Sequence, residues 1–485
     1  MNCRSYGSTE FKIALLVGAF FCSSYAAYAQ TTLQTPAEHA YGAPHNPQVG
    51  KPVDINITGP LTLDRAIQIA LQRQNTIALS RARVDIGRQQ VVSARARYFP
   101  QITPSYQYQN VLSPFSSSSS LGVTGTRTIN SESQSSGIIA RQLIWDNGLR
   151  ESNLQSARNS LTADQFGLGD VRETVILNVE QSYYTLLHDK ELVAVEKTNV
   201  QLSQTTLNSI QAQVQVGNAA QSDVLQAQSN LANANVTLLQ AESNVYNDEA
   251  SLKNAMGVVS SLPLKLADQQ PPPPNEKPDP RALDSYVQTA YLHRLDLKQQ
   301  QSLVNAQTDV LRTARIQAGL SVNASVSEGY DLQPTSGESR NFIVSLSYPL
   351  FDGGASRANV RSNEAALEEQ QRTLDQLEQN IRLEVEQDYR TREVARQQIV
   401  SAQAAVNAGI TNENAAKAEL ENGLINIVDS ITAQLQLVTA KQQYVDSIFT
   451  YYIANARLIR DIGQNDPGWT PRLPRLKSSP GVPTK

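Results

Sequence analysis

The chain has 485 residues, 40% of them hydrophobic and 18% charged, with a formal net charge of −4. That length could hold about three domains, yet the modest hydrophobic content, with Gln, Ala, Ser and Asn abundant, suits elongated solvated helices better than a thick globular core. With 41 Lys plus Arg against 45 Asp plus Glu and no basic stripe, nucleic acid is not an expected partner, and two cysteines exclude a disulfide framework.

Residues 1–29 read as a secretory signal. Arg4 and Lys12 supply positive charge, Ile13–Phe21 is an apolar core too short for a membrane anchor, and Ala27-Tyr28-Ala29 is a small-x-small cleavage site. Cys3 and Cys22 both fall inside it, and Phe20 and Phe21 stand where small residues precede a lipoprotein cysteine. Its removal leaves 39 basic and 44 acidic residues. No later segment has the roughly 20 apolar residues of a membrane helix, so membrane entry would be by strands. Residues 30–60, rich in Thr, Pro, Gly and Asn, are expected to form an extended arm.

A first unit spans 61–257. Thr62 opens a helix with Leu63, Ala66, Ile67, Ala70 and Leu71 on one face; Asn75 breaks it, and a second helix stops before Pro100. Residues 101–145 then read as a strand pair. In Gln101–Asn110, Ile102, Pro104, Tyr106 and Tyr108 alternate with Thr103, Ser105, Gln107 and Gln109. Leu112–Ser133 reads as a Ser/Gly/Thr loop, and Ser136–Trp145 as the returning strand. The signature Gln-Leu-Ile-Trp-Asp-Asn-Gly (142–148), with Asp146 and Gly148, marks the strand-to-helix corner. A long helical hairpin is expected over 149–257, turning at Gly217, a terminator in the left-handed conformation. Beyond the turn, Val224, Leu231, Leu238, Val245 and Leu252 recur every seven residues, with Ala227, Ala234 and Ala241 three further on, which is a coiled-coil seam.

Residues 258–280 are a Pro-rich linker, stiff around Gln269–Pro274. A second unit over 281–463 repeats the first, with a strand pair in 319–351 and a helical hairpin in 355–463. Leu320, Val322, Ala324 and Val326 alternate with small polar residues, Gly329–Arg340 reads as a loop, and Phe342, Val344, Leu346, Tyr348 and Leu350 alternate again. The corner is Tyr348-Pro-Leu-Phe-Asp-Gly-Gly354, with Asp352 and Gly354, and the turn is Gly423. One offset of 206 residues relates Gly148 to Gly354, Gly217 to Gly423, Asp223 to Asp429 and Gly257 to Gly463. A single register over so long a span is an internal duplication. Residues 464–485, with five prolines, are expected to be a disordered tail.

Strands of about ten residues, apolar on one side and small-polar on the other, fit a barrel wall between lipid and water. Aromatic residues near their ends (Tyr106, Tyr108, Trp145, Tyr330, Phe342, Tyr348, Phe351) fit interfacial girdles. An ordinary half-buried hairpin gives the same alternation but finds no partner sheet in this sequence.

Catalytic chemistry has no visible site. His39, His45, His188 and His293 show no metal-ligand spacing, and no phosphate loop, nucleophile elbow or zincin motif occurs. No enzyme activity, metal or cofactor is expected.

Taken together, the signal segment, the two helix–hairpin units, the paired strands, the corners at 142–148 and 348–354, the run Val216-Gly217…Ser222-Asp223-Val224-Leu225-Gln226-Ala227-Gln228 and Gly423…Ile427-Val428-Asp429 resemble the TolC family of outer-membrane efflux proteins over about residues 60–465. The resemblance implies a mainly α chain with a membrane β-barrel: a homotrimer whose four strands per chain build a twelve-stranded barrel in outer-membrane lipid, above a periplasmic α-helical coiled-coil tunnel. Four strands cannot close a lumen alone, which independently requires oligomerisation if they span lipid. The resemblance further implies a periplasmic adaptor (membrane fusion) protein and an inner-membrane pump as partners. It places Gly217, Asp223, Gly423 and Asp429 at the periplasmic entrance. Either aspartate could equally be a first-turn acid favoured by its helix dipole. Where some relatives of that kind latch the entrance with a Tyr and an Arg, Leu420 and Ile425 stand here, and Thr432 replaces an acidic position, so closure is expected from helix packing.

The implied function is a passive exit duct carrying small toxic compounds outward. The exit duct of a type I protein secretion system is the near alternative. A non-pore coiled-coil structural protein of the envelope is the rival from another class, and it predicts no membrane strands.

Overall fold

The computed structural model describes residues 59–118, 124–259, 263–267, 271–274, 282–317, 319–333, 337–466 and 468–470. The expected signal (1–29) and nearly all of the arm (30–60) lie outside the described residues. Among the described residues the order is α1 (Leu63–Arg73), α2 (Asn75–Ala96), β1 (Gln101–Ser118), β2 (Thr124–Trp145), α3 (Leu149–Gln215), α4 (Gln221–Ala255), α5 (Ala282–His293), α6 (Leu295–Gln317), β3 (Ser321–Gln333), β4 (Gly337–Ser347), α7 (Ala355–Glu421) and α8 (Ile427–Asp461).

Thr62 caps α1, its hydroxyl accepting from the Arg65 amide at 3.3 Å. The break between α1 and α2 falls at Gln74, one residue before the expected position. Gln74 Oε1 accepts from Asn75 N at 2.9 Å while its amide donates to Asn254 O and Ala255 O, so the break also fastens the end of α4.

The duplication is carried into helix length: α3 and α7 each have 67 residues, α4 and α8 each 35. At 1.5 Å per residue the longer pair spans about 100 Å. The heptad rows face inward as their period requires. Val224, Ala227, Ala234 and Leu252 are buried in α4, and Ala433, Leu437, Ala440, Tyr451, Ala454 and Leu458 in α8. Helix α8 also buries Val438, Val445 and Phe449, because it packs on α3 as well as α7.

The four strands form one antiparallel sheet in the order β1-β2-β3-β4. Pairing of β2 with β3, for example Ile139 with Ser327, joins the two repeats. The two expected loops are shorter than the sequence suggests. Pairing runs unbroken from Gln101–Arg141 to Ser118–Thr124, so 112–118 and 124–133 are strand rather than loop. It likewise runs from Ser321–Ser347 to Asp331–Gly337. Backbone groups pair regardless of side chain, so a Ser/Thr-rich stretch without apolar alternation can still extend a ladder. At the other end β4 stops at Ser347; Leu350 and Phe351, read as strand, lie beyond it and are each 90% exposed.

The expected disordered tail is also corrected for residues 464–466 and 468–470. Arg172 Nε donates to Asp466 Oδ2 at 2.8 Å, Asn465 Nδ2 donates to Glu173 O at 3.2 Å, and Trp469 lies against Gly169 of α3, where any Cβ would collide with its ring. A glycine notch accepts the indole, a long-range fit that composition cannot reveal. Residues 471–485 lie outside the described residues. Part of the linker is strapped down too: Leu61 bonds Lys265 O and Ala267 N, and Tyr452 Oη donates to Pro272 O at 2.7 Å.

Where α5 meets α6, Arg294 is nearly buried and bonds Asp296 at 2.7 Å and Glu384 at 2.7 Å, with Asp461 3.9 Å away. Acids outnumber their partners here. Burial, reinforced by Asp170, pushes the Glu173 carboxyl up to about 7. Burial and a hydrogen bond with Asp461 push Asp388 up to about 7, and burial raises Glu180 to about 7. Each folded-state value lies above the ordinary carboxylate value, so the fold favours the proton-bound form. That contribution is complete at acid pH and is lost as pH rises through about 7. Thermal unfolding of the purified protein is therefore expected at a higher temperature at pH 6 than at pH 8. The difference should shrink by at least about half in Glu173→Gln/Asp388→Asn, measured by circular dichroism in detergent.

Candidate duct corners and tips

Two pairs of sequence-predicted residues sit at opposite ends of the long helices. At the first corner the chain leaves β2 through Asn147 (φ 55°) and Gly148 (φ 89°) and enters α3. Asp146 makes this possible. Its Oδ1 accepts from Gly148 N at 3.3 Å and its Oδ2 from Arg150 N at 2.9 Å, two of the amides a helix start leaves unpaired. Arg150 Nε also donates to Asp146 Oδ2 at 2.9 Å, while Nη1 and Nη2 donate to Leu143 O and Ile144 O at the end of β2. The guanidinium lies 5.1 Å from the Tyr98 ring centroid. Arg150 thus clamps strand, corner and helix together. Its only signal in the sequence is its place four residues after Asp146.

The second corner repeats the backbone solution without the clamp. Asp352 Oδ1 accepts from Gly354 N at 2.9 Å and Oδ2 from Ser356 N at 2.8 Å. Hydrogen bonds from Ser356, side chain and amide, and from the Gly354 amide hold the Asp352 carboxyl below its ordinary value. Ser356 occupies the position of Arg150, and Asp352 is exposed where Asp146 is buried.

The two helix turns share one geometry. Gly217 (φ 80°) donates to Val214 O at 3.0 Å and Asn218 N to Gln213 O at 2.8 Å. Gly423 (φ 69°) donates to Leu420 O at 3.1 Å and Leu424 N to Glu419 O at 2.8 Å. Both pairs are the 5→2 and 6→1 bonds of a Schellman cap, and a side chain with a Cβ is strained at that positive φ.

The next helices begin differently. Asp223 Oδ2 accepts from Ala220 N at 3.2 Å, reaching back over the first turn of α4. At α8 the cap is Asn426, whose Oδ1 accepts from Asp429 N at 2.9 Å, leaving the exposed Asp429 carboxylate turned to solvent. Both acids sit in a first turn, where the helix dipole favours them.

The tips are brought together. Leu207, Ile210, Val224 and Ala227 of the first hairpin form one cluster with Leu420, Ile427 and Ile431 of the second, flanked by Ile425. Gln213 Nε2 donates to Leu420 O across the pair at 3.4 Å. Leu420 and Ile425 are therefore packing residues of the tip, and Thr432 donates to Val428 O within its own helix. Asp146 and Asp352, by contrast, lie at the far ends of the 67-residue helices.

Comparison with known proteins places this geometry. The family model described as "Outer membrane efflux protein" matches residues 66–258 and 286–464. The chain is 22% identical over 412 residues to the outer membrane efflux protein BepC of Brucella suis, covering 83% of this chain and 85% of BepC. It is 24% identical over 394 residues to the protein CyaE of Bordetella pertussis, covering 79% and 80%. Among solved structures, the Campylobacter jejuni CmeC outer membrane channel superposes with a TM-score of 0.70 at 17% identity, over 83% of this chain and 86% of that one.

The asymmetry of the corners has a measurable consequence. Asp146→Ala leaves Arg150 partly buried without its carboxylate and should cost about 3 kcal/mol. Asp352→Ala, at a solvated corner, should lower stability far less. Denaturant unfolding of the two variants, followed by tryptophan fluorescence, checks the order.

Proposed function

The chain belongs to the outer membrane efflux protein family and is an outer-membrane exit duct of an efflux or secretion system, extending into the periplasm; from that premise we propose that it is a passive efflux channel for small toxic compounds. Three copies close its barrel. A periplasmic adaptor meets the helix tips, and an inner-membrane pump supplies the energy, since the sequence has no nucleotide-binding loop.

One observation carries this reading. The single chain holds a four-stranded sheet uncovered on both faces and unpaired at β1 and β4. One face presents Ile102, Tyr106, Ile138, Val326, Phe342, Val344 and Leu346, all at least half exposed. The other presents Thr103, Ser105, Gln107, Ser325, Ser327 and Ser345. An exposed apolar sheet of that extent is stable against lipid and unstable against water. Its two open edges are satisfied by pairing with further copies. Twelve strands from three chains enclose a lumen faced by the polar side. The non-pore structural protein offers no role for such a sheet.

At the other end, three copies would gather three Asp223 and three Asp429 around the mouth, a field that favours cations. Planar-bilayer conductance of the detergent-purified protein tests both parts. Cation-selective steps are expected, with selectivity falling several-fold in Asp223→Asn/Asp429→Asn. Steps indifferent to that substitution would keep the channel and remove the acidic ring. Absence of current from correctly assembled oligomer would count against an open duct.

A further inference from the structure

We propose that the polar face of the sheet carries, at its helix-proximal end, a binding site for the carboxylate, phosphate or sulfate group of a small organic anion, built on Arg97 and Arg141. The site rests on reading that face as the duct lumen.

A cavity of about 460 Å³ opens there, lined by Arg97, Gln101, Arg141, Asn323, Ser325 and Ser345 among others, with no Asp or Glu in its wall. Register puts these side chains on one face. Gln101 is opposite Arg141, Arg141 is opposite Ser325, and Asn323 is opposite Ser345. The strand residues among them occupy odd positions, a face they share with the apolar Ile139, Leu143 and Ile343. Arg97 follows the last residue of α2 and closes the cavity from the helix side.

Charge makes the place unusual. From Gln101 to Gln109 on β1 and from Ser321 to Gly329 on β3, the polar face has no other charged residue. The next charge along β3 on that face is Asp331, six residues beyond Ser325 and so about 20 Å away. Neither arginine has an ion-pair partner among the described residues. Arg150 and Arg340, by comparison, are paired with Asp146 and with Glu328 at 2.9 and 3.2 Å. Two unpaired guanidinium groups, with amide and hydroxyl donors around them, match a planar or tetrahedral oxyanion. The two guanidinium groups repel a cationic compound, whereas Phe99, Leu143 and Ala324 in the same wall offer contact to the carbon skeleton of an organic anion. Three copies would set six guanidinium groups around one passage, concentrating anions there.

The test uses citrate as the probe, titrated calorimetrically into the detergent-purified full chain at low salt. Saturable binding is expected. Arg97→Gln/Arg141→Gln should weaken it by about tenfold or more, the loss of charge-assisted hydrogen bonds. Arg97→Lys/Arg141→Lys, which keeps the charge, should retain part of the affinity. Circular dichroism and oligomer mass exclude a folding defect, and the single variant Arg141→Gln serves if the double one fails to assemble. No saturable heat with the wild type, or equal heat with the Gln variants, would overturn the proposal. Citrate added from the barrel side should also block bilayer current in the wild type alone. Protein that binds citrate yet passes no current would keep the site and defeat the duct reading, so the two failures are told apart.

Discussion

Register is the constraint on which the structure depends. A helix 67 residues long with a seven-residue apolar period can slide by one heptad against its neighbours and lose little apolar contact. Buried polar residues forbid the slip. Glu196, 3% exposed, accepts from Thr237 Oγ1 of α4 at 3.0 Å and from Gln442 of α8. Asn199 and Ser203, three and seven residues on, accept from Gln434 of α8 at 3.1 and 2.8 Å, and Asn230 of α4 donates to Ser203 at 3.1 Å. In any other register these groups would be buried without partners, at a cost of about 1–3 kcal/mol each and more for the carboxylate. The ladder therefore fixes α3 against α4 and α8 at once.

From that register both ends follow. The two Schellman turns arrive side by side, close enough for Leu420 to pack with Leu207 and Ile210. At the other end β2 emerges beside β3, so the repeats share one sheet instead of two separate hairpins. Equal helix lengths in the two copies make these meetings possible, and insertions within a helix would break both.

What the sequence made legible was what local periodicity encodes. Gly217, Gly423, Asp146 and Asp352 sit where chain direction changes, the glycines through their own backbone hydrogen bonds and the aspartates by accepting from backbone amides within a few residues. The heptad rows and the strand alternation likewise announce which face is covered. The features that stayed hidden depend on partners remote in sequence. Arg150 is silent until the end of β2 is placed over it, and Trp469 reads as part of a proline-rich tail until Gly169 is seen to make room for its ring. The strand extensions beyond Asn110 and Gly329 carry no apolar period, because a ribbon without a covered face selects none.

The two copies diverge where their surroundings differ, and that divergence explains the surfaces left over. Helix α8 is covered by α7 and α3 and has become apolar on two faces; Ile448 and Tyr451 cluster with Ala395 and Ile399 of α7, and Val445 and Phe449 are buried as well. Helix α4, its counterpart, keeps Leu225, Val236, Leu239 and Tyr246 exposed, and the sheet keeps an apolar face bare. Monomeric soluble chains rarely leave so many apolar side chains in water. The same logic separates the charges. Asp146 is buried and must be matched by Arg150, whereas Asp352 is solvated and needs only amides. Arg97 and Arg141 line a cavity whose wall has no acidic residue, and among the described residues they carry no counter-ion. A side chain paired within its own chain is committed to the fold. One left unpaired on a concave, water-facing wall is free to meet what passes, and in a duct that distinction separates the scaffold from the lining.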